Sequence, residues 1–253
     1  MDNKLPEGAM LELPFPADKR TFDGLGLPEG DAPLYSFAWH PRLILLPTWQ
    51  LDAKARLLKR LVDVVFALTA LILFAVPVLF LALAVRLTSP GPVLFRQQRI
   101  GLSGRKFTAF KFRTMYSHSA DTVTLRQATR HDPRVTGVGR WMRRYSVDEL
   151  PQLINVLRGE MSVVGPRPHA PGTRAGGNLF EDVTRCYGAR HFVKPGMTGL
   201  AQVRGWRGET DTEEKLLHRI DCDFEYIAHW SPGLDLAIIW RTARSVLRAG
   251  NAY

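Results

Sequence analysis

The chain has 253 residues and a formal net charge of +10, with 34 Lys and Arg against 24 Asp and Glu. This length suits one domain, or one domain with an appendage. The positive excess indicates an anionic partner, such as nucleic acid, anionic lipid or a phosphorylated substrate, with simple solubility as the alternative. Two cysteines, Cys186 and Cys222, exclude a disulfide framework and predict a reducing, cytoplasm-facing environment, and no Cys/His cluster has zinc spacing.

The first 53 residues differ in character from the rest of the chain. They carry four Lys and Arg against eight Asp and Glu, and they contain seven prolines without sustained periodicity. We therefore predict an acidic, irregular appendage over residues 1–53. Residues 54–253 hold 30 Lys and Arg against 16 Asp and Glu and are predicted to form the functional domain.

An apolar segment, residues 64–85, runs for 22 residues without a charge. About 20 apolar residues suffice to cross the hydrocarbon core of a bilayer. Pro77 lies in the middle of the segment, where it removes a backbone hydrogen bond and bends a helix. Basic residues such as Lys59 and Arg86 flank both ends, so the positive-inside rule disfavours a simple span. We predict a re-entrant helix at about residues 61–88 that turns at Pro77, with a true span and a buried core helix as alternatives.

Two runs, residues 93–100 and 106–113, flank a turn that contains two glycines. This arrangement predicts a β-hairpin. In the second strand Lys111 and Arg113 share the face of Phe107. That face either contacts an anionic group or is simply solvated.

Asp148 and Glu149 form an acidic pair in an otherwise basic stretch. The apolar spacing over residues 150–157 predicts a short amphipathic helix that starts near Asp148. Two starts remain open for this helix. In one, Ser146 and Glu149 form a capping box, and in the other Pro151 lies in the first turn. In either case Asp148 lies near a helix N-terminus, where the dipole favours its ionised form.

The chemistry of this stretch suits a phosphate substrate. Magnesium is commonly held by one or two carboxylates together with substrate phosphates, and arginines neutralise charge that develops on phosphates. The alternative for the acids is a helix cap and plain surface ion pairs. The arginines nearest in sequence are Arg143, Arg144, Arg158 and Arg167.

A basic amphipathic helix is predicted near the C-terminus. It suits a membrane surface, with an ordinary helix packed on the domain as the alternative. Its apolar stripe consists of Leu236, Ile239, Trp240, Ala243 and Leu247. Its basic stripe consists of Arg241, Arg244 and Arg248.

Three motifs together resemble the bacterial sugar transferases known as monotopic phosphoglycosyl transferases. The longest is the string from Ser146 through Asp148-Glu149-Leu-Pro-Gln to Gly165-Pro-Arg167-Pro168. The others are Lys111-Phe-Arg113-Thr-Met and Lys194-Pro-Gly-Met-Thr-Gly-Leu-Ala-Gln202-Val. The C-terminal string that begins Asp223-Phe-Glu-Tyr-Ile also fits, and the resemblance covers residues 56–248 in order.

The resemblance implies an activity and a set of residue roles. Such enzymes move a phosphosugar from a UDP-sugar to undecaprenyl phosphate and release UMP. Asp148 would attack the β-phosphate and form a covalent phosphosugar intermediate, and Glu149 would help Asp148 to hold Mg2+. Arg143 and Arg167 would contact phosphates or uridine. The other positions implied as substrate-binding are Lys111, Arg113, Pro168, Gln202 and Asp223.

The predicted fold is α+β, membrane-associated and mostly helical, with a re-entrant membrane helix, amphipathic interfacial helices and a small β-hairpin. The expected place is the bacterial inner membrane, with the active site facing the cytoplasm, at the first membrane step of exopolysaccharide, capsule or O-antigen synthesis. The expected partners are a UDP-sugar, undecaprenyl phosphate and the membrane; nucleic acid is not expected, and a homo-oligomer is left open. Two other functions fit less of the sequence: a membrane-anchored module that binds nucleic acid or anionic lipid, and a phosphohydrolase that acts on lipid diphosphates.

Overall fold

The computed structural model describes residues 53–116, 132–184 and 186–248 of the chain. Residues 1–52 of the predicted appendage lie outside the described residues, as do residues 117–131. The predictions for those two stretches therefore stay predictions.

The described part combines helices with short strands, in agreement with the predicted α+β, mostly helical character. Its α-helices are α1 (Ala53–Leu73), α2 (Ala75–Thr88), α3 (Gly137–Tyr145), α4 (Gln152–Arg158), α5 (Phe180–Val183), α6 (Leu200–Val203), α7 (Glu213–Ala228) and α8 (Pro232–Arg248). Its strands are β1 (Leu94–Ile100), β2 (Lys106–Phe112), β3 (Ser162–Val164), β4 (Arg174–Ala175), β5 (Asn178–Leu179) and β6 (Gly196–Thr198). Strands β1 and β2 pair antiparallel, β3 and β6 pair parallel, and β4 and β5 pair antiparallel.

The predicted apolar helix is broken. Helices α1 and α2 meet at a bend of 65°. The bend lies at Phe74, one turn before the predicted turning point at Pro77. Proline causes this offset, because it has no N–H for the carbonyl four residues earlier, here that of Leu73, and its ring clashes with that carbonyl. Regular hydrogen bonding resumes at Val78, whose N–H donates to the Phe74 carbonyl at 2.8 Å.

The bent pair carries its apolar side chains on the outside. Leu61 is 58% exposed, Ile72 78% and Leu79 69%. No single helix in the described ranges has the length and apolarity to cross a membrane, whereas α1 and α2 together pass that test. Because so many of its apolar side chains are exposed, the pair is not a core helix of this domain.

The first half of α1 is held to the rest of the domain by the Lys59 ammonium group. Its Nζ donates to Asp235 Oδ2 at 2.8 Å, to the Val164 carbonyl at 3.1 Å and to the Tyr226 hydroxyl at 3.1 Å. The Tyr226 hydroxyl donates in turn to Asp235 Oδ1 at 2.8 Å. One ammonium group thus joins α1 to β3, α7 and α8.

Two further polar side chains of α1 face the same way. The Arg60 guanidinium donates to the carbonyls of Val156 and Leu157 at 2.6 and 2.8 Å, at the end of α4. The buried Asp63 carboxylate accepts from the Ser162 hydroxyl at 2.9 Å and from the N–H of the residue after it at 2.8 Å. Since Asp63 directly precedes the uncharged segment, these contacts fix the point at which the apolar pair leaves the domain.

The predicted hairpin is confirmed, and its register pairs Leu94 with Phe112 and Ile100 with Lys106. The buried amide of Asn155 in α4 ties the hairpin to the domain. Its Nδ2 donates to the Thr108 carbonyl of β2 at 2.7 Å, and its Oδ1 accepts from the Phe110 N–H of the same strand at 3.1 Å. The side chains around which these elements pack include Phe107, Leu153, Val163, Tyr187, Ile220, Phe224 and Ile238.

The predicted C-terminal amphipathic helix is α8. Asp235 and Ile238 face the domain, whereas much of the predicted apolar stripe points outward, with Trp240 70% exposed and Leu247 83% exposed. The alternative of an ordinary helix with its apolar stripe packed on the domain is therefore wrong for most of this stripe. Both cysteines are free and buried, as expected for a reduced protein.

Replacing Lys59 by Met should lower the melting temperature of the purified protein, measured by tryptophan fluorescence in detergent. The substitution leaves the Asp235 carboxylate buried without a cation, which costs on the order of 3 kcal/mol. Lys54→Met, an exposed change on the same helix, is the matched control and should leave the melting temperature unchanged. Equal melting temperatures for the two variants would contradict the anchoring role.

Candidate active site

The acidic pair lies in a tight connection between α3 and α4. Helix α3 ends at Ser146, whose backbone is left-handed, with a φ of 58°, and whose N–H donates to the carbonyls of Arg143 and Met142. A single 3-10 turn, Val147–Glu149, follows, and α4 begins directly after Pro151. The predicted capping box is wrong, because Ser146 already ends α3 in this conformation and its hydroxyl caps nothing.

Glu149 is held by two cations from distant parts of the chain. Lys111 Nζ on β2 donates to Glu149 Oε1 at 2.6 Å. The Arg167 guanidinium donates to both carboxylate oxygens, at 2.5 and 3.0 Å. Burial alone would raise the pKa of Glu149, but Arg167 and Lys111 outweigh it and hold the pKa well below its usual value. Glu149 is therefore a fixed negative charge.

Asp148 has a different environment. Its side chain is buried, with 8% of the residue exposed, and no group within the described ranges donates a hydrogen bond to its carboxylate. Burial and the adjacent charge of Glu149 raise its pKa, against the opposing effect of Lys111 and two arginines. The predicted stabilisation of ionised Asp148 by a helix dipole is not what dominates, because Asp148 lies in one 3-10 turn rather than at the end of a long helix. The result is a buried carboxylate that receives no hydrogen bond from the described residues.

Arg143 and Arg113 were both predicted to bind substrate, and the structure separates them. Arg143 lies close enough to Asp148 to lower its pKa, and its Nε donates to the Thr114 hydroxyl at 2.8 Å. Arg113 is buried and donates instead to the Ser89 carbonyl at 2.6 Å and to other groups at the end of α2. In the structure Arg113 satisfies helix-end carbonyls that would otherwise be unpaired, and its predicted substrate contact stays a prediction.

The Pro-Arg-Pro segment is held by its carbonyl groups. Arg99 on β1 donates to the Pro168 carbonyl at 3.0 Å, and Arg190 donates to the Arg167 carbonyl at 2.9 Å. Pro168 therefore contributes a backbone acceptor that fixes the segment. These contacts orient Arg167 toward Glu149.

Asp223 lies behind this segment. Its carboxylate, 2% exposed, accepts from Arg190 at 2.6 Å. Burial alone would lower the pKa of Arg190, but Asp223 and Tyr187 outweigh it and raise the pKa. In the structure the Asp223 carboxylate holds the guanidinium that positions Arg167, and its predicted substrate contact stays a prediction.

Gln202 also makes no contact with the acidic pair among the described residues. It lies in α6, and its amide donates to the Met197 carbonyl at 3.2 Å. Its Oε1 is buried without a hydrogen-bond partner. The structure thus brings together Asp148, Glu149, Lys111, Arg143 and Arg167, with Pro168 and Asp223 as supports.

Comparison with known proteins identifies the family of this chain. The model of the family described as bacterial sugar transferase matches residues 54–249. The chain belongs to the bacterial sugar transferase family. Asp148, Glu149 and every contact described above lie within the matched residues.

Three relatives illustrate the similarity. The undecaprenyl-phosphate glucose phosphotransferase of Komagataeibacter xylinus is 51% identical over 195 residues, which is 77% of this chain and 37% of that protein. The UDP-glucose:undecaprenyl-phosphate glucose-1-phosphate transferase of Escherichia coli K12 is 51% identical over 187 residues, 74% of this chain and 39% of that protein. The exopolysaccharide production protein PSS of Rhizobium leguminosarum bv. phaseoli is 47% identical over 196 residues, 78% of this chain and 98% of that protein. The chain therefore spans well under half the length of the first two relatives and almost all of the third.

The candidate site carries more positive than negative charge. Arg99 lies near Arg167 and Glu149, and its pKa is lowered to about 10 by burial and then by the neighbouring Arg167. Lys111 and Arg167 both contact the Glu149 carboxylate, so two positive charges are paired with one negative charge. The surplus suits a ligand with two adjacent phosphates, because each phosphate can replace a missing counter-charge.

Two supporting residues were missed by the sequence reasoning. Arg99 and Arg190 were not assigned a role, because each acts on a carbonyl 69 or 23 residues away in the chain. No local pattern signals such a contact. Helix α3 was also missed, although Thr136 provides a cap by accepting from the Gly139 N–H at 2.9 Å.

Replacing each acid by its amide should change the stability of the protein in opposite directions, measured as the melting temperature at pH 7.5. Glu149→Gln should destabilise the protein by about 3 kcal/mol, because it breaks a buried ion pair. Asp148→Asn should stabilise it by about 1 kcal/mol, because it removes a buried charge without a hydrogen bond.

The pH dependence provides the check. The pKa of Asp148 is raised in the folded protein, so its ionisation costs stability at neutral pH, and this cost disappears as the pH falls through the raised pKa. The advantage of Asp148→Asn should therefore shrink on acidification. An equal loss of stability in both variants at pH 7.5 would contradict the proposed difference.

Proposed function

We propose that this chain transfers a sugar 1-phosphate from a UDP-sugar to undecaprenyl phosphate, releasing UMP, through a covalent intermediate on Asp148. The observation that carries the proposal is the division within the acidic pair. Glu149 is bound by Lys111 and Arg167, whereas the Asp148 carboxylate has no hydrogen-bond donor among the described residues. A carboxylate nucleophile needs a lone pair that no hydrogen bond occupies.

The first step is an attack on the β-phosphorus of the UDP-sugar. An Asp148 oxygen forms a bond to that phosphorus, the bond to the bridging oxygen breaks, and its electron pair leaves with UMP. Like charges oppose this approach: at about 4 Å and an effective dielectric of about 20, each pair of charges repels by about 4 kcal/mol. Lys111, Arg143 and Arg167 lie close enough to Asp148 to counter this repulsion.

The second step regenerates the enzyme. A phosphate oxygen of undecaprenyl phosphate attacks the same phosphorus, and the bond to Asp148 breaks. The carboxylate is restored, so no proton is gained or lost over the cycle. The fixed Glu149 contributes by keeping Lys111 and Arg167 in place through both steps.

A magnesium ion is the proposed cofactor, and the residues fit it in part. Magnesium prefers carboxylate, phosphate and water oxygens. Within the described ranges no group of three or more His, Cys, Asp or Glu residues forms an all-protein metal site. Asp148 has a free carboxylate, whereas both oxygens of Glu149 already accept hydrogen bonds from cations. Asp148, Glu149 and substrate phosphates would hold the ion, which supplies charge neutralisation on the diphosphate.

The proposed place of action is the cytoplasmic face of the bacterial inner membrane. The exposed apolar pair α1–α2 and the outward apolar stripe of α8 support membrane association. Basic residues at both ends of the pair favour entry and exit on the same side. A soluble nucleotide sugar and a lipid phosphate can meet at such a surface.

The proposed sugar is glucose, and the proposed pathway is exopolysaccharide synthesis. The relatives from Komagataeibacter xylinus and Escherichia coli are named for glucose transfer, and the Rhizobium leguminosarum relative is named for exopolysaccharide production. The chain shares about half its residues with each over the sugar transferase region. Capsule and O-antigen synthesis are the other pathways in which the same first step occurs.

Asp148→Asn should abolish UMP release from UDP-glucose in the presence of undecaprenyl phosphate and Mg2+. An amide cannot supply the attacking oxygen as a charged nucleophile. The wild-type protein without acceptor should release one UMP per active site and gain the mass of a phosphosugar. Asp182→Asn, an exposed change in α5, is the matched control with normal turnover. Near-normal turnover in Asp148→Asn would sink the nucleophile assignment, and continuous release without acceptor would indicate a phosphohydrolase.

Removal of the metal should stop the reaction. With EDTA in excess, UMP release is expected to fall to background and to return when Mg2+ is restored, because phosphate charge is then no longer neutralised. The melting temperature in EDTA serves as the control for folding. Undiminished turnover in EDTA would remove magnesium from the proposal.

Both ends of the α1–α2 pair should react from the same side of the membrane. After replacement of Cys186 and Cys222 by Ser, single cysteines at Lys54 and Leu87 are labelled with an impermeant maleimide in oriented vesicles. Lys106→Cys on the hairpin marks the side of the catalytic domain. Protection of one end and labelling of the other would mean a true span.

A further inference from the structure

A second cluster of cations lies at the base of the apolar pair. It is formed by Arg60 of α1 and by Lys194, which stands two residues before β6. Gly159, at the end of α4, lies beside both. Lys194 begins one of the motifs that carry the family resemblance, and the proposed chemistry at Asp148 gives it no role.

The side chains of Arg60 and Lys194 border an unfilled space beside Gly159. A Cβ atom added to Gly159 would lie 3.6 Å from Lys194 Nζ and 3.7 Å from an Arg60 guanidinium nitrogen, and outside its immediate chain neighbours no atom lies closer. Gly159 ends α4 with a φ of 80°, a conformation that glycine adopts without strain. An oxygen atom beside this glycine can therefore contact both cations.

Among the described residues no carboxylate forms a direct ion pair with Lys194, although Asp63 acts on it at longer range. Arg60 donates to two backbone carbonyls and not to a carboxylate. The nearest acid, Asp63, accepts from a hydroxyl and a backbone N–H, and Lys59 has its own partner in Asp235. Within the described residues Lys194 Nζ makes no hydrogen bond or ion pair. Burial and the neighbouring Arg60 lower the pKa of Lys194 against the opposing effect of Asp63, and a bound anion would add to that opposing effect.

The cluster stands at the level where the apolar pair begins. Arg60 is four residues before the uncharged segment, and its neighbours Leu57 and Leu61 on α1 are exposed. Basic side chains at such a boundary meet the phosphates of lipid headgroups.

We propose that Arg60 and Lys194 bind the phosphate group of an anionic membrane lipid at a site separate from Asp148 and Glu149. Helix α4 lies between the two sites: the acidic pair precedes it and Gly159 follows it. Its seven residues span about 10 Å. The proposal rests on the proposed membrane association of α1–α2 and not on the transfer reaction. A lipid held here clamps the base of α1 to the end of α4 and so fixes the depth of the domain at the membrane surface.

The test measures lipid retention by native mass spectrometry. Wild-type protein and Lys194→Gln are purified in detergent with phosphatidylglycerol, and lipid adducts are counted as the lipid is titrated. Lys194→Gln should bind about fivefold more weakly, the factor for losing one basic side chain near an anionic lipid. Lys194→Arg should retain binding. Lys106→Gln, an exposed change on the hairpin, is the matched control and should behave as wild type.

Two further arms identify the source of the phosphate. Polyprenyl phosphate replaces phosphatidylglycerol in one arm, and inorganic phosphate replaces it in the other. A Lys194-dependent loss with either lipid supports the site and names its occupant. Equal retention of both lipids by Lys194→Gln and Lys106→Gln overturns the proposal, as does a loss seen with inorganic phosphate alone. UMP release is measured separately, so a failure of the proposed reaction leaves this result readable.

Discussion

The polar face of α1 is the constraint on which the rest of the structure depends. Lys59, Arg60 and Asp63 lie within a little more than one turn, and their buried or half-buried contacts together reach β3, α4, α7 and α8. Removing any of these groups leaves a buried acceptor or donor unpaired, which costs more than the hydrogen bond itself contributes. The apolar helices therefore leave the domain in one fixed direction. The hairpin, α4 and β3 are held relative to that direction, and through them the acidic pair is also held.

The acidic pair has two carboxylates in unequal surroundings, and this inequality follows from the chain connections. Helix α3 has to end in a left-handed residue so that the chain can enter a single 3-10 turn before Pro151. In that turn Glu149 meets the cations from β2 and from the Pro-Arg-Pro segment. Asp148 receives no hydrogen bond from any residue that the structure describes, although the same cations lie near it. Neighbouring positions thus receive opposite pKa shifts, a pattern typical of sites that need one fixed charge and one reactive group.

Local patterns in the sequence predicted the elements that depend on local physics. Alternation and glycines predicted the hairpin, an uncharged run with Pro77 predicted the broken helix, and spacing predicted α8. The protein contacts of Arg113 and Asp223 could not be predicted, because a motif identifies a residue but not the group that occupies its donors or acceptors. In the fold Arg113 meets carbonyls at the end of α2, and Asp223 meets Arg190. The contacts of Arg99 with Pro168 were equally out of reach, since they join segments that only the complete fold brings together.

The Pro-Arg-Pro segment has a further consequence for the thermodynamics of substrate recognition. The carbonyls of four consecutive residues, 166–169, all accept hydrogen bonds. In chain order their donors are the Gly196 N–H, the Arg190 guanidinium, the Arg99 guanidinium and the Ile100 N–H. The two prolines flanking Arg167 fix φ in the unfolded chain as well as in the folded one. The conformational entropy of this backbone is therefore lost during folding and not when a diphosphate arrives. Ligand affinity at Arg167 then depends on the motion of a single side chain, whose partner Glu149 already restricts it.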